Sequence, residues 1–348
     1  MWLGRCQAVH YRNMYGTKHL FITFMDMLAV IKKPIEQEVV AFGNYFKSQF
    51  TSDVKLLDSA LRYVGESTGK LMRPMLVMLV AKCAGEVNEK SYAAAAAMEM
   101  LHTASLLHDD VIDESDQRRG RPSVNVRFNN NVAVLSGDFL FSQALNNAAV
   151  TDDCRVVKEL SVLGKALSRG EIMQIELQQS GSYSEENYLK VIECKTASLF
   201  VCSALCAVYT AGGSEAIAEK FRKFGEYVGI CFQIKDDIFD YSSNDIGKPT
   251  GSDMREGKIT LPALHVLRES CNPLLVPIRE KLGRSEYLDE KEIESLIRIS
   301  VEEGGIDYAN SRIAHYRALA LEALPDGLPQ ELHDALVAYI DYVICRNK

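Results

Sequence analysis

Three observations predict an all-α protein, a single-domain bundle of long helices. Apolar residues recur at three- and four-residue spacing over most of the chain, the period of a helix with one buried face. Strand signals are nearly absent: no Asn-Gly pair occurs, and Asp326-Gly327 sits between helical stretches close to Pro325 and Pro329. The breaking residues fall between periodic segments, at Gly69 and Pro74, Gly120 and Pro122, Gly212-Gly213, and from Gly247 to Gly257.

Taken in chain order, the periodicity places the first helix at Ile31–Phe50. Leu71–Cys83 follows, with Pro74 in a first turn where a missing N–H costs nothing. Ser91–Ile112 carries the run Ala93–Ala97, whose short side chains permit close helix–helix approach. Val132–Val150 and Val156–Gln179 come next. Glu185–Ala211 includes Cys202 and Cys206, four apart on one face, which reads as buried packing. Glu215–Tyr241, Ile293–Ile299, Ile306–Leu324 and Pro329–Ile344 complete the series.

The chain has 348 residues and 47% hydrophobic content, enough for a large core, and no low-complexity linker divides it. We therefore expect one folded unit over 28–348, after an N-terminal extension over 1–27. That extension holds Arg5, Arg12 and Lys18 and no acid before Asp26, and Met25 and Met27 are alternative starts. Its apolar run Leu20–Phe24 is too short for a membrane span, so no membrane anchor is expected. A net charge of −8 argues against nucleic acid as a partner. Nine cysteines form no C-x-x-C pair, which points to a reducing, cytoplasmic compartment.

The most informative feature is a repeated acidic cluster. Asp109-Asp110-x-x-Asp113 and Asp236-Asp237-x-x-Asp240 lie 127 positions apart (236 − 109) at the ends of apolar helical stretches. Ala104-Ser105-Leu106-Leu107 precedes the first, and Ile230-Cys231-Phe232-Gln233-Ile234 precedes the second. A solvated acidic patch has no need of such approaches, because like charges are normally kept apart and out of interiors. On a helix, residues i and i+4 share a face, so each cluster presents paired carboxylates. That is a hard-oxygen seat for Mg²⁺, which takes one or two carboxylates, waters and phosphate oxygens. Two facing seats suit a diphosphate gripped through bridging metals.

Basic residues are placed to match. Arg118-Arg119-Gly120-Arg121-Pro122 lies just past the first cluster, and arginine forks bind phosphate in a bidentate manner. Lys70 and Arg73 stand one turn apart at a helix start. His102 lies two turns before Asp109 on the same face. Lys195 sits inside the apolar helix Glu185–Ala211, where it needs a counter-charge. Lys248 and Lys258 lie in a Gly-rich loop after the second cluster that is suited to close over phosphate, with Asp253 between them.

Jointly these motifs resemble those of the trans-isoprenyl diphosphate synthases, close to the medium- and long-chain polyprenyl branch (octaprenyl- and solanesyl-like). The matching stretches are GKLMRP, LHTASLLHDDVIDESDQRRGRPS, GDFL, ECKTASLF, FQIKDDIFDY and IGKPTGSDMREGKITLP, in the family's order from about Gly69 to Pro262. The resemblance implies an isoprenoid-synthase-type bundle around a deep central cavity, usually a homodimer, with residues 28–348 as the catalytic domain. It implies that Asp109, Asp110, Asp113, Asp236, Asp237 and Asp240 hold Mg²⁺, three ions per substrate-loaded site. Arg118, Lys195, Gln233, Lys248 and Lys258 would contact the allylic diphosphate. Lys70, Arg73, His102 and Arg119 would hold isopentenyl diphosphate, and Phe232 and Thr196 would border the reacting carbons. Leu71 departs from the pattern, since relatives often carry a second basic residue there.

The chemistry follows from the residues. Metals and cations neutralise the departing diphosphate, and the allylic C–O bond ionises to a delocalised carbocation. The double bond of isopentenyl diphosphate attacks it, and the released diphosphate takes the proton. No side-chain base is apparent. The tail is expected to grow along the helix past Ser105, Ala104 and Leu101, where resembling short-chain enzymes carry bulk at the first two positions. Small residues there predict a product of roughly thirty to fifty carbons. Leu101, Met98, Phe141 and Leu145 are candidate floors. A terpene cyclase usually lacks the second cluster and the basic set; a non-catalytic subunit tends to lose metal carboxylates; a purely structural helical protein needs neither.

Overall fold

The structure, a computed structural model, describes residues 24–67, 69, 71–241 and 250–346. Lys70 and Lys248, two of the expected phosphate contacts, lie outside the described residues, as does most of the extension.

Among the described residues the chain is helical, as expected, apart from one two-residue hairpin and the connecting turns. α1 (Phe24–Lys32) and α2 (Glu36–Lys47) replace the single expected helix, because Pro34 opens a separate 3₁₀ turn at Lys33–Ile35. Met27 and Ile31 of α1 are buried, and α1 packs against the C-terminal helix, so the expected boundary at 27/28 falls inside a packed helix. α3 (Lys55–Glu66) was not anticipated; it buries Ala60, Leu61, Tyr63 and Val64 on one face and exposes Leu56.

α4 (Met72–Ala84) and α5 (Glu89–Ile112) form the centre. Asn88 starts α5: its side chain accepts from the backbone N–H of Lys90 and Ser91, and Ser91 returns a bond to complete a capping box. Residues Ala93 to Ala97 have no exposed surface, and α5 packs most extensively against α7 (Asn130–Val150). Between these lie a two-residue hairpin, β1 (Gln117–Arg118) and β2 (Arg121–Pro122), and α6 (Val124–Phe128).

α8 (Cys154–Ser180) leads to α9 (Glu185–Ile192), a π turn (Glu193–Ala197) and α10 (Ser198–Thr210) in one continuous rod. By length and apolar composition this rod could cross a membrane, yet 72% of its apolar window is buried inside the fold. Its α10 part is a core helix, apolar on nearly all sides because neighbours surround it. Cys202 and Cys206 lie within it as buried thiols with sulfurs 3.9 Å apart. α11 (Glu215–Phe239), capped by Ser214, packs on α10 and on the later helix Gly305–Glu322.

The remainder is α12 (Ser252–Arg255), α13 (Leu261–Glu269), α14 (Leu275–Gly283), α15 (Glu290–Glu302), α16 (Gly305–Glu322) and α17 (Gln330–Cys345). α13 and α14 were not anticipated from the periodicity. Each is nine residues long, too short for a strong pattern, and each carries a proline near its start.

Candidate active site

The C-terminal ends of α5 and α11 each deliver one acidic cluster, and the two clusters divide their carboxylates the same way. In the first, Asp110 is buried and accepts the Arg118 guanidinium, Nε at 2.9 Å. Asp113 is exposed and Asp109 is half-buried. In the second, Asp237 is buried and accepts from the Tyr188 hydroxyl and the Gln233 amide, both at 2.7 Å. Asp236 stays exposed. Asp240 accepts from the backbone of Ser252 at 3.0 Å and Asp253 at 3.1 Å, which fixes the start of α12.

The hairpin explains how Arg118 reaches Asp110. Arg119 (φ 55°) and Gly120 (φ 73°) form its two-residue turn, both in the left-handed region that such a tight turn demands. Arg119 tolerates this position because its guanidinium is held by the Ser67 carbonyl.

Lys195 is delivered by the π turn, an irregularity common at functional sites. Its ammonium bonds Glu171 at 2.7 Å and Gln174 at 3.0 Å on α8. The close approach requires Gly170, where a Cβ would stand 2.5 Å from Lys195 Cγ. Next to it, the Thr196 hydroxyl donates to Gln233 Oε1 at 2.6 Å, and Gln233 passes the chain on to Asp237.

A cavity opens beside Asp237 of the second cluster. Lys195, Thr196, Gln233, Asp237, Asp253 and Lys258 line it. Asp109 lies in the field of Lys195, and Asp113 in that of Lys258. Burial, with Glu171 and Asp113 nearby, pushes Asp109 up to about 6 against the pull of Lys195 and Arg118. Burial, then Asp240, pushes Asp253 up to about 6. Burial and Asp253 also raise Asp237. The site thus gathers carboxyl groups whose ionised forms are disfavoured by burial and by one another, and a hard divalent cation would relieve both. Among the described residues no three acidic, His or Cys side chains converge on one point.

A basic pocket lies beside the first cluster. Arg118, Arg119 and Glu99 line it together with Asp110. Burial, then Arg73, Arg119 and Arg118, hold His102 well below its ordinary value, so it is a neutral imidazole. Arg73 stands 5.4 Å from the Phe200 ring and 6.0 Å from Phe232, with its Nε buried and unpartnered. Glu99 is buried, and desolvation raises it despite Arg73 and Arg119. Leu71, where a base is often found, takes a left-handed φ of 51° ahead of α4 and packs on the core.

Residues 54–299 match the polyprenyl synthetase family. The chain belongs to that family. It is 34% identical over 329 residues to an octaprenyl diphosphate synthase from Haemophilus influenzae, spanning 92% of this chain and 98% of that one. Its structure is similar to polyprenyl synthase from Caulobacter crescentus, crystallised with calcium and isoprenyl diphosphate (TM-score 0.85, 30% identity, 92% of this chain and 98% of that chain). It is also similar to geranylgeranyl pyrophosphate synthase from Bacteroides thetaiotaomicron (TM-score 0.79, 39% identity, 92% of this chain and 100% of that chain). The protein is a prenyltransferase of isoprenoid synthesis.

In this polyprenyl synthetase the residues expected to set product length separate into two groups. Met98, Leu101 and Ala104 are buried along α5, and Ser105 is half-buried with its hydroxyl on the His102 carbonyl. Phe141 and Leu145, by contrast, are 39% and 42% exposed on the outer side of α7. They do not close an interior floor within one chain; the helical register turns them outward. Glu171, Gln174, Tyr188 and Glu99 join the site without having been anticipated. Glu171 and Gln174, three apart on α8, were the only ones with a readable signal, a polar face toward Lys195.

Proposed function

We propose that this prenyltransferase condenses isopentenyl diphosphate with an allylic diphosphate in a Mg²⁺-dependent reaction. The product is an all-trans medium- or long-chain polyprenyl diphosphate of roughly thirty to fifty carbons. The observation that carries this reading is a cavity lined by Asp237, Asp253, Lys195 and Lys258, with Asp109 in the field of Lys195 and Asp113 in that of Lys258. Asp109, Asp113 and Asp236 are the metal ligands for three Mg²⁺ ions. Asp110 and Asp237 hold Arg118 and Gln233 in place and orient the ligands beside them.

When bound, Mg²⁺ supplies Lewis-acid stabilisation of the departing diphosphate. Lys195 and Lys258 add fixed positive charge where that negative charge develops, in a site shielded by α10 and α11. Arg73, Arg119 and neutral His102 hold the second diphosphate, with Lys70 and Lys248 completing the two phosphate sites. Phe232 and Thr196 flank the reacting carbons. The apolar walls exclude water from the carbocation. Met98, Leu101 and Ala104 mark the path of the growing tail, with the floor provided by buried side chains of α5.

The enzyme acts as a cytoplasmic homodimer. Val134, Leu135, Phe141 and Leu145 expose an apolar stripe on α7, and Ile172 and Ile175 extend it on α8. Incubation with Mg²⁺, isopentenyl diphosphate and farnesyl diphosphate, followed by mass analysis, tests the function. Products of thirty or more carbons support it; geranylgeranyl diphosphate alone overturns the chain-length reading. No consumption of isopentenyl diphosphate overturns the activity and favours a non-catalytic subunit, and a cyclic hydrocarbon favours a cyclase.

A further inference from the structure

Beyond the residues assigned above, one cation reaches the second acidic cluster from the far end of the chain. Arg346 follows the last residue of α17, with extended backbone (φ −58°, ψ 140°) outside the helical hydrogen-bond ladder. Its Nη2 donates to Asp236 Oδ1 at 3.1 Å and to the Phe232 carbonyl at 3.0 Å. Its guanidinium carbon lies 3.6 Å from the centre of the Phe232 ring. The side chain is only 16% exposed, and its Nε is buried without a partner.

A guanidinium that gives up water on one donor must be held by something stronger than packing. Here the hold is the carboxylate of Asp236 and the face of Phe232. Asp236 is the open carboxylate of its cluster, 51% exposed, whereas Asp237 and Asp240 are both engaged within the protein. The most exposed carboxylate of that cluster is therefore already neutralised from inside the molecule. A cation arriving there competes with Arg346.

We propose that Arg346 is an internal counter-ion for Asp236: it holds that carboxylate in the empty enzyme and yields it when a metal–diphosphate complex enters. The proposal rests on the reading of Asp236 as a metal ligand. Because Arg346 lies beyond α17, the exchange requires no helix to unwind. It keeps like charges from accumulating around Asp236, Asp237 and Asp253 in the empty site, and it makes cation binding at Asp236 depend on the diphosphate that accompanies it.

Mn²⁺ titration followed by electron paramagnetic resonance tests this on the full chain, using wild type, Arg346→Gln, Arg346→Lys and Asp236→Asn, without diphosphate. Arg346→Gln should bind Mn²⁺ roughly two- to fivefold more tightly, the range of a partly exposed ion pair, and Arg346→Lys should stay near wild type. Unchanged or weaker binding by Arg346→Gln overturns the counter-ion role. Asp236→Asn binding like wild type would instead overturn Asp236 as a ligand, which separates the two failures. Hydrogen exchange on the wild type gives a readout free of folding effects. The peptide covering 340–346 should exchange faster once Mn²⁺ and inorganic pyrophosphate are added; unchanged exchange overturns the proposal.

Discussion

Lys195 reaches Glu171 at 2.7 Å across a strip of α8 that Gly170 leaves bare. The pair holds an ammonium inside the cavity, while the π turn supplies the extra residue that aims it inward. A side chain at residue 170 must displace Lys195 or the turn. Gly170→Val should lower kcat by roughly a hundredfold, the cost of a displacement near 1 Å at a reacting centre. Steady-state assays beside circular dichroism check this; a folded variant with wild-type kcat refutes the placement.

The open carboxylates should matter most. Asp109→Asn and Asp236→Asn each remove a metal ligand while keeping shape, and each should reduce kcat by roughly a hundredfold or more. Excess Mg²⁺ should restore part of the loss if the remaining oxygens still bind. A loss below tenfold in both variants contradicts the assignment.

Tyr188 serves Asp237 rather than substrate. Its hydroxyl is one of two donors on a buried carboxylate, so Tyr188→Phe should destabilise the protein by about 1–3 kcal/mol. Denaturant unfolding measures this, and an unchanged midpoint at constant slope would show that the bond contributes nothing.

Acid should weaken the fold through His102. Burial and the arginines 73, 119 and 118 hold its folded value below the ordinary 6.5. Below 6.5 the unfolded chain takes a proton that the folded chain refuses. The stability present above 6.5 is therefore lost as pH falls toward the folded value, at up to about 1.4 kcal/mol per unit. His102→Gln should flatten the decline of Tm between pH 6.5 and roughly 5 relative to wild type. Parallel curves for the two proteins would exclude His102 as the source.

Product length should respond to bulk on α5. Ala104 is 1% exposed, so Ala104→Phe fills the tail path and overpacks the core by about 1–3 kcal/mol. The half-buried Ser105→Phe should shorten the product with less loss of Tm. Radiolabelled product analysis of both decides; full-length product from both folded variants refutes a path along this face.

Legibility differed between residues for physical reasons. The helices carrying Asp109 and Asp236 were readable because carboxylates four apart at the end of apolar turns have few structural excuses. Pro34 was visible, but its consequence, a split between α1 and α2, depended on how α1 packs on α17. Tyr188 was invisible, since an aromatic on an amphipathic helix reads as core until its hydroxyl is seen on Asp237.

Local periodicity and charge spacing by themselves determined the all-α class, the two acidic clusters and the cations around them, because each is set by neighbours within one or two helical turns. Only the tertiary structure decided which aspartate of each pair is open and which is spent inside the protein. It also turned Phe141 and Leu145 outward and brought Arg346 to Asp236 across 110 positions. Those outcomes depend on which helices pack together and on which buried charge meets a partner, and long-range burial leaves no mark in short-range spacing.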